Sequence, residues 1–420
     1  MKTVPNWGRG GGGVFNSIEV GSARTEPAVA RFESIDGLRG IAALAVALFH
    51  ATWPSHPTST LLAQNGYAAV DLFFLISGFV IAASSSRRVR TVAGVRVFLL
   101  RRFFRLYPLH LAILLFLVAQ ECLKLLARCD IHADLCQRHA FTGPHSIKLL
   151  LAHFLLLQGS GLTPEVGWNV PSWTVSAEWI AYLLFAAAGL SGALRGGKGL
   201  AWIAGAGLAG YIALSHFFGT LNLTADYGLL RCLFGFPIGV ALYHFRSTYQ
   251  AALAGLGGAR ASLLEGAALA AVLVVLALLK GGAVAWVIPC YAALLAIFHS
   301  QQGIFSRALL WPPLQWLGLV SYSVYLVHVP LRNLLSKALQ SIGVPTLLTA
   351  GDRNFLDISR VEGDLLLAAY LLAILATAAL TYRYIEEPAR LLGRRLSARG
   401  GAETVDKPMT GARRAAPVAN

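Results

Sequence analysis

Ten apolar stretches, each near the length that a bilayer demands, dominate this chain and restrict its possible folds. They run near 36–53, 66–83, 106–127, 172–190, 200–218, 228–245, 262–279, 282–298, 316–337 and 363–384. A helix needs roughly 20 such residues to cross about 30 Å of hydrocarbon. In lipid every backbone N–H and C=O must be satisfied within the protein, so segments of this kind become helices. Only 13% of the residues are charged and 56% are hydrophobic, against roughly 25% and 45–50% in ordinary globular proteins. The expected fold is an all-α, polytopic membrane bundle of about ten transmembrane helices.

Charge placement predicts its orientation. Arg87, Arg88, Arg90, Arg96, Arg101, Arg102 and Arg105 crowd between the second and third stretches, and further arginines follow the last one. Alternate loops instead collect Asp226, Asp352, Asp357 and Glu362. Because cytoplasmic loops carry the excess of Lys and Arg, both termini are expected inside the cell. The formal charge of +15 therefore reflects topology and membrane lipids. Nucleic acid is not an expected partner, since a binding surface would carry its basic residues on a polar face.

Three regions follow: a flexible, Gly-rich basic tail (1–34), a membrane domain (35–390) and a basic tail (391–420). The early glycines are not a phosphate-binding loop, because no strand precedes them and no Lys-Ser/Thr ending follows. No cleaved signal peptide is expected, since the first apolar run begins too deep in the chain. The longest outer loop, 128–171, contains an apolar piece at 147–158 that is too short to cross and suits a re-entrant or interfacial helix. Cys129, His132, Cys136 and His139 imitate a metal site, but their spacing matches no established ligand set. No metal is expected; a Cys129–Cys136 disulfide on an oxidising face is the alternative special role.

Ionisable side chains in hydrocarbon cost several kcal/mol unless they face a partner or a wet cavity. Arg39 and His50 are the sharpest case. Eleven residues at about 100° each bring both to one helix face, about 16 Å apart along the axis. Asp36 lies near the same face. Histidine is the usual general base for an alcohol nucleophile; the alternatives are a packed, hydrogen-bonded histidine and a snorkelling arginine. Asp71, Ser77, Trp173, Glu178, Arg231, Tyr322, Tyr325 and His328 sit in other spans and are candidates to line one polar cavity, or to act as helix-to-helix hydrogen bonds. Arg102 and Arg105, a helical turn apart, suit bidentate phosphate recognition as well as topology.

In order along the chain, SIDGLRGIAALAVALFH, DLFFLISGFVI, RRFFRLYP, NVPSWTVSAEWIAYLLF, LGLVSYSVYLVHVPL and RYIEEPARLLGRRL resemble membrane-bound acyltransferase family 3, whose members O-acylate bacterial surface polysaccharides and other acceptors. The motifs span residues 34–396. The resemblance implies transfer of an acyl group, most often acetyl from acetyl-CoA, through the bacterial inner membrane to a hydroxyl of an exopolysaccharide or lipopolysaccharide sugar. No permanently bound cofactor is implied, and polysaccharide-assembly proteins are implied as partners. The family's Arg-x10-His signature maps onto Arg39 and His50, its Arg-x-x-Arg signature onto Arg102 and Arg105, and its acidic position onto Glu178. His50, Glu178 and Arg39 would then be catalytic, His50 as base and Glu178 either orienting it or binding sugar, while Arg39, Arg102 and Arg105 would hold the CoA phosphates. Asp71, Ser77, Trp173, Tyr325 and His328 would line the substrate cavity, and Glu386 would be structural. A transporter or flippase for a lipid-linked sugar is the rival reading, since buried charges in many spans suit transport equally.

Overall fold

The computed structural model describes residues 32–126, 139–349 and 353–402. The expected Cys129–Cys136 pair and most of both tails lie outside these residues. The helices are α1 (Glu33–Phe49), the short α2 (Leu61–Gln64), α3 (Ala69–Ser85), α4 (Val92–Leu126), α5 (Ile147–Phe154), α6 (Trp173–Leu190), α7 (Gly197–Phe218) and α8 (Gly228–His244). They continue with α9 (Arg246–Ala254), α10 (Gly258–Leu278), α11 (Val287–Phe298), the short α12 (Ile304–Ala308), α13 (Pro312–Ser341), α14 (Arg360–Thr381) and α15 (Glu387–Ala402).

The protein is a polytopic helical membrane protein. Among the described residues eight helices are long and apolar enough to cross a bilayer, or nine if α8 and α9, bent by 57°, form one span. Of the ten expected stretches, the first lies outside this count. The first apolar stretch is helical over only 17 residues, about 25 Å at 1.5 Å per residue, because the chain turns at His50, ahead of Pro54. Between α13 and α14 the chain forms a short antiparallel hairpin, β1 (Thr346–Thr349) and β2 (Arg353–Leu356), with Thr346 opposite Leu356. The apolar piece near 147–158 forms the eight-residue α5, too short to span as expected.

Between apolar helices in lipid, association rests on close packing, which small residues permit. A Cβ added to Gly78 would lie 2.0 Å from the carbonyl oxygen of Phe236, and one on Gly239 equally close to that of Leu75. Thus α3 and α8 meet backbone to backbone. Helices α1 and α13 meet in the same way: a Cβ on Gly40 would be 2.7 Å from the amide nitrogen of Gly318, and one on Gly318 would be 2.2 Å from the carbonyl oxygen of Asp36. The α1–α13 contact sets the site, because it presses the Arg39–His50 face against the helix carrying Ser321, Tyr325 and His328. Outward-facing apolar side chains such as Leu115, Phe116, Trp202, Phe217 and Leu372 are exposed, as expected of surfaces that meet lipid.

Candidate active site

On α4 the run RRFFRLYP places Arg102 and Arg105 three residues apart, and therefore on one face. That face meets α1, α3, α6 and α13 around a narrow cavity of about 130 Å³, whose lining includes Arg39, Ser77, Arg102, Arg105, Glu178, Ser321, Tyr322 and Tyr325. Residues distributed over five sequence segments thus share one internal space.

The three arginines have different surroundings. Arg39 donates from Nε to Ser321 Oγ (3.0 Å) and from Nη2 to the Gly318 carbonyl (2.8 Å), and lies 3.1 Å from Asp36. Arg105 forms an ion pair with Glu386 and lies over the Tyr322 ring at 5.3 Å. Glu386 is 1% exposed and accepts a second bond from Ser323 Oγ at 2.8 Å. It ends a π-helical turn, Tyr382–Glu386, and π turns inside α-helices recur at functional sites. Arg102 lies over Phe98 at 5.8 Å, and its Nε is buried with no hydrogen-bond partner among the described residues. A buried guanidinium donor in that state is a place for an acceptor to bind.

Deeper in the same cavity, Glu178 accepts hydrogen bonds from Ser77 Oγ and from Tyr182 OH. Tyr182, one turn after Glu178, was not singled out from the sequence, although the i,i+4 relation made it visible.

His50 caps the other end of α1, close to α13 rather than in the lining of this cavity. Its Nδ1 lies 2.9 Å from the Val46 carbonyl and 3.2 Å from Nε2 of His328. His328 is fully buried, and its own Nδ1 lies 2.6 Å from the Tyr325 carbonyl. Carbonyls only accept, so both histidines carry their proton on Nδ1. The one Nδ1–H of His50 is then shared between the Val46 carbonyl and His328 Nε2, and the lone pair of His50 resides on Nε2. A base oriented by a second group is the arrangement general-base catalysis requires. Tyr325 belongs to both regions: it lines the cavity, and its ring centroid lies 5.7 Å from that of His328 and 5.6 Å from that of Phe73.

Three expected cavity residues, Asp71, Trp173 and His328, lie outside its lining. Asp71 is fully buried and bound by Arg231, Nε to Oδ1 at 3.0 Å and Nη2 to Oδ2 at 2.8 Å, with Tyr211 OH at 3.1 Å. Such a bidentate pair completes both partners and ties α3 to α8. Trp173, 4% exposed, fills the space between Phe74 and Arg231; its helix presents the next residues, Thr174 and Val175, to the cavity. His328 likewise lies behind Tyr325, paired with His50, instead of lining the cavity itself.

Sequence comparison identifies the family. Residues 32–385 match the family described as an acyltransferase domain, and the chain belongs to that family, acyltransferase family 3. It is 35% identical over 168 residues to the acyltransferase MdmB of Streptomyces mycarofaciens, covering 38% of this chain and 39% of MdmB. It is 28% identical over 306 residues to a putative membrane-bound transacylase, BcsY, of Komagataeibacter xylinus, covering 71% and 72% of the two chains. It is also 31% identical over 164 residues to Protein 2 in the picA locus of Rhizobium radiobacter, covering 37% of this chain and 81% of that one. No solved structure matches. Family membership favours an O-acyltransferase enzyme over the transport reading.

Proposed function

We propose that this protein moves an acyl group, acetyl in the simplest case, from cytoplasmic acyl-CoA to a hydroxyl of a carbohydrate on the outer face of the bacterial inner membrane. The observation that carries this reading is the division of labour along α1: a cavity ringed by Arg39, Arg102 and Arg105 at one end, and the His50–His328 pair at the other. Arginines suit the phosphates of CoA, because guanidinium forks match phosphate oxygens. The cavity, about 130 Å³, is far smaller than the roughly 300–1,000 Å³ of sites that enclose a whole ligand. It suits an extended pantetheine arm better than the nucleotide, which would stay at the arginine-lined mouth.

The acyl thioester would reach His50 past Tyr325. The acceptor oxygen attacks the thioester carbon as its proton passes to His50 Nε2, and collapse of the tetrahedral intermediate breaks the C–S bond. The His50 proton then neutralises the departing CoA thiolate. His328 acts as a positioning residue, holding the Nδ1–H of His50 so that Nε2 faces the acceptor. Direct transfer needs no acyl-enzyme. Glu178, with Ser77 and Tyr182, is assigned to the acyl-CoA channel rather than to His50.

The test is incubation of inside-out vesicles carrying the chain with radiolabelled acetyl-CoA, followed by counting of label in the polysaccharide fraction. Label with wild type and none with His50→Ala is the expected result. Absence of label from wild type across several donors and acceptors would overturn acyl transfer.

A further inference from the structure

A second, larger cavity opens at the His50 end of the bundle and takes no part in the scheme above. Its volume is about 470 Å³, inside the roughly 300–1,000 Å³ range of small-molecule sites. Three loops and α13 build it, bringing Glu165, Trp168, Asp226, Arg332 and Asn333 to one space. We propose that this cavity is the acceptor site and that it holds a neutral, hydroxyl-rich sugar ring; the assignment rests on the acyl-transfer reading for its purpose but not for its test.

The cavity adjoins the chemistry. Arg332 follows His328 by one helical turn, about 6 Å of rise, and its Nη1 donates to the His50 carbonyl at 3.3 Å. A ring bound beside Arg332 therefore needs to extend a hydroxyl by only about one turn of helix to meet His50.

Its walls are also held in shape. Trp168 has φ of +27° and Gly167 of +68°, and a side chain on Gly167 would collide with the Pro144 carbonyl at 2.3 Å. Backbone in such conformations persists only where its surroundings over-determine it, and it concentrates at functional sites. Here the Trp168 amide donates to Pro144 O (2.9 Å), its indole N–H donates to Ser146 O (3.1 Å), and its ring lies 5.1 Å from His145.

The polar groups identify the ligand class. Glu165 and Asp226 are exposed carboxylates, which accept from hydroxyls and repel anions. Asn333 Oδ1 is occupied by Arg332 Nε and Nη2, at 3.1 and 2.7 Å, so the amide N–H groups of Asn333 remain to donate. Two carboxylates with a guanidinium already committed to protein acceptors favour a neutral polyol over a phosphorylated one.

Thr224, on the cavity wall, provides the probe. Detergent-purified full-length Thr224→Cys protein is reacted with a maleimide, with and without methyl β-glucoside, and labelling at residue 224 is read by peptide mass spectrometry. Exposed Cys122 serves as internal control. The proposal expects the glycoside to slow labelling of residue 224 several-fold and leave Cys122 unchanged. It expects glucose 6-phosphate not to protect, and added Glu165→Gln and Asp226→Asn changes to abolish the glycoside's effect. Unchanged labelling with the glycoside, equal protection by the phosphorylated sugar, or protection that survives both substitutions would overturn it. Protection in a protein that transfers no acyl group from acyl-CoA would leave the sugar site standing and remove the acyl-transfer reading instead.

Discussion

The buried ring of His328 stands 3.2 Å from His50, Nε2 to Nδ1, with the two ring planes inclined at 57°. Since the Tyr325 carbonyl fixes the tautomer of His328, only its Nε2 is left to accept the His50 proton. His328→Phe keeps a ring in place and removes that acceptor. We expect kcat to fall about 100-fold, the lower range for a positioned acid–base group, with KM for acetyl-CoA unchanged. The shape of the pH–rate profile should change as well, which a purely structural role would not produce.

Arg102 and Arg105 are predicted to behave differently despite their shared motif. Arg102→Ala removes a buried Nε donor that has no hydrogen-bond partner among the described residues, and should raise KM for acetyl-CoA about tenfold or more, the value of one lost charge-assisted bond. Arg105 is already neutralised by Glu386. Glu386→Gln should therefore tighten CoA binding, measured by isothermal titration of the purified protein; weaker binding would show that the pair holds the cavity open rather than competing with phosphate.

Asp71 is predicted to support stability rather than to contact substrate. Asp71→Ala strands the Arg231 guanidinium in the core and should cost about 3–5 kcal/mol, as broken buried ion pairs do. In a detergent thermal-aggregation assay the variant should melt well below wild type, and Asp71→Leu with Arg231→Met should recover most of the loss. A stable but inactive Asp71→Ala protein would instead return the residue to the substrate cavity.

Acid should weaken the protein through His153. Burial pushes its pKa down to about 4, with neighbouring His110 and His145 adding to the effect and the Leu149 carbonyl partly opposing it. The unfolded chain takes up a proton near pH 6.5, while the folded state resists until about 4. The unfolded state thus binds more protons in that window, so stability is full above 6.5 and declines as pH falls towards 4. The deficit reaches about 3 kcal/mol when the group is fully protonated. His153→Gln should flatten the dependence of melting temperature on pH across that window.

Much of this was legible in the amino-acid order because the bilayer is an unforgiving solvent. Apolar length announced the helices, and several of their polar exceptions line one cavity. The helical repeat also put Arg39 and His50 on one face, and both side chains do contact α13. Helix ends were less legible: the apolar stretch near 36–53 outlasts its 17-residue helix.

Partner choice was decided only in three dimensions. Asp71, Glu178 and His328 look alike in sequence, each a polar residue in an apolar span. Their neighbours come from distant helices: Arg231 neutralises Asp71, Ser77 bonds Glu178, and His50 meets His328. Which charge is completed by protein depends on helix rotation and on the close approach that Gly40 and Gly318 permit. The π turn that aims Glu386 at Arg105, and the strained loop at Trp168, are likewise local departures imposed by packing. Sequence determined that this chain would be a membrane helical bundle and which residues were too polar to be idle there; tertiary contact, acting over a few ångströms in a low dielectric, decided which partner each of them meets.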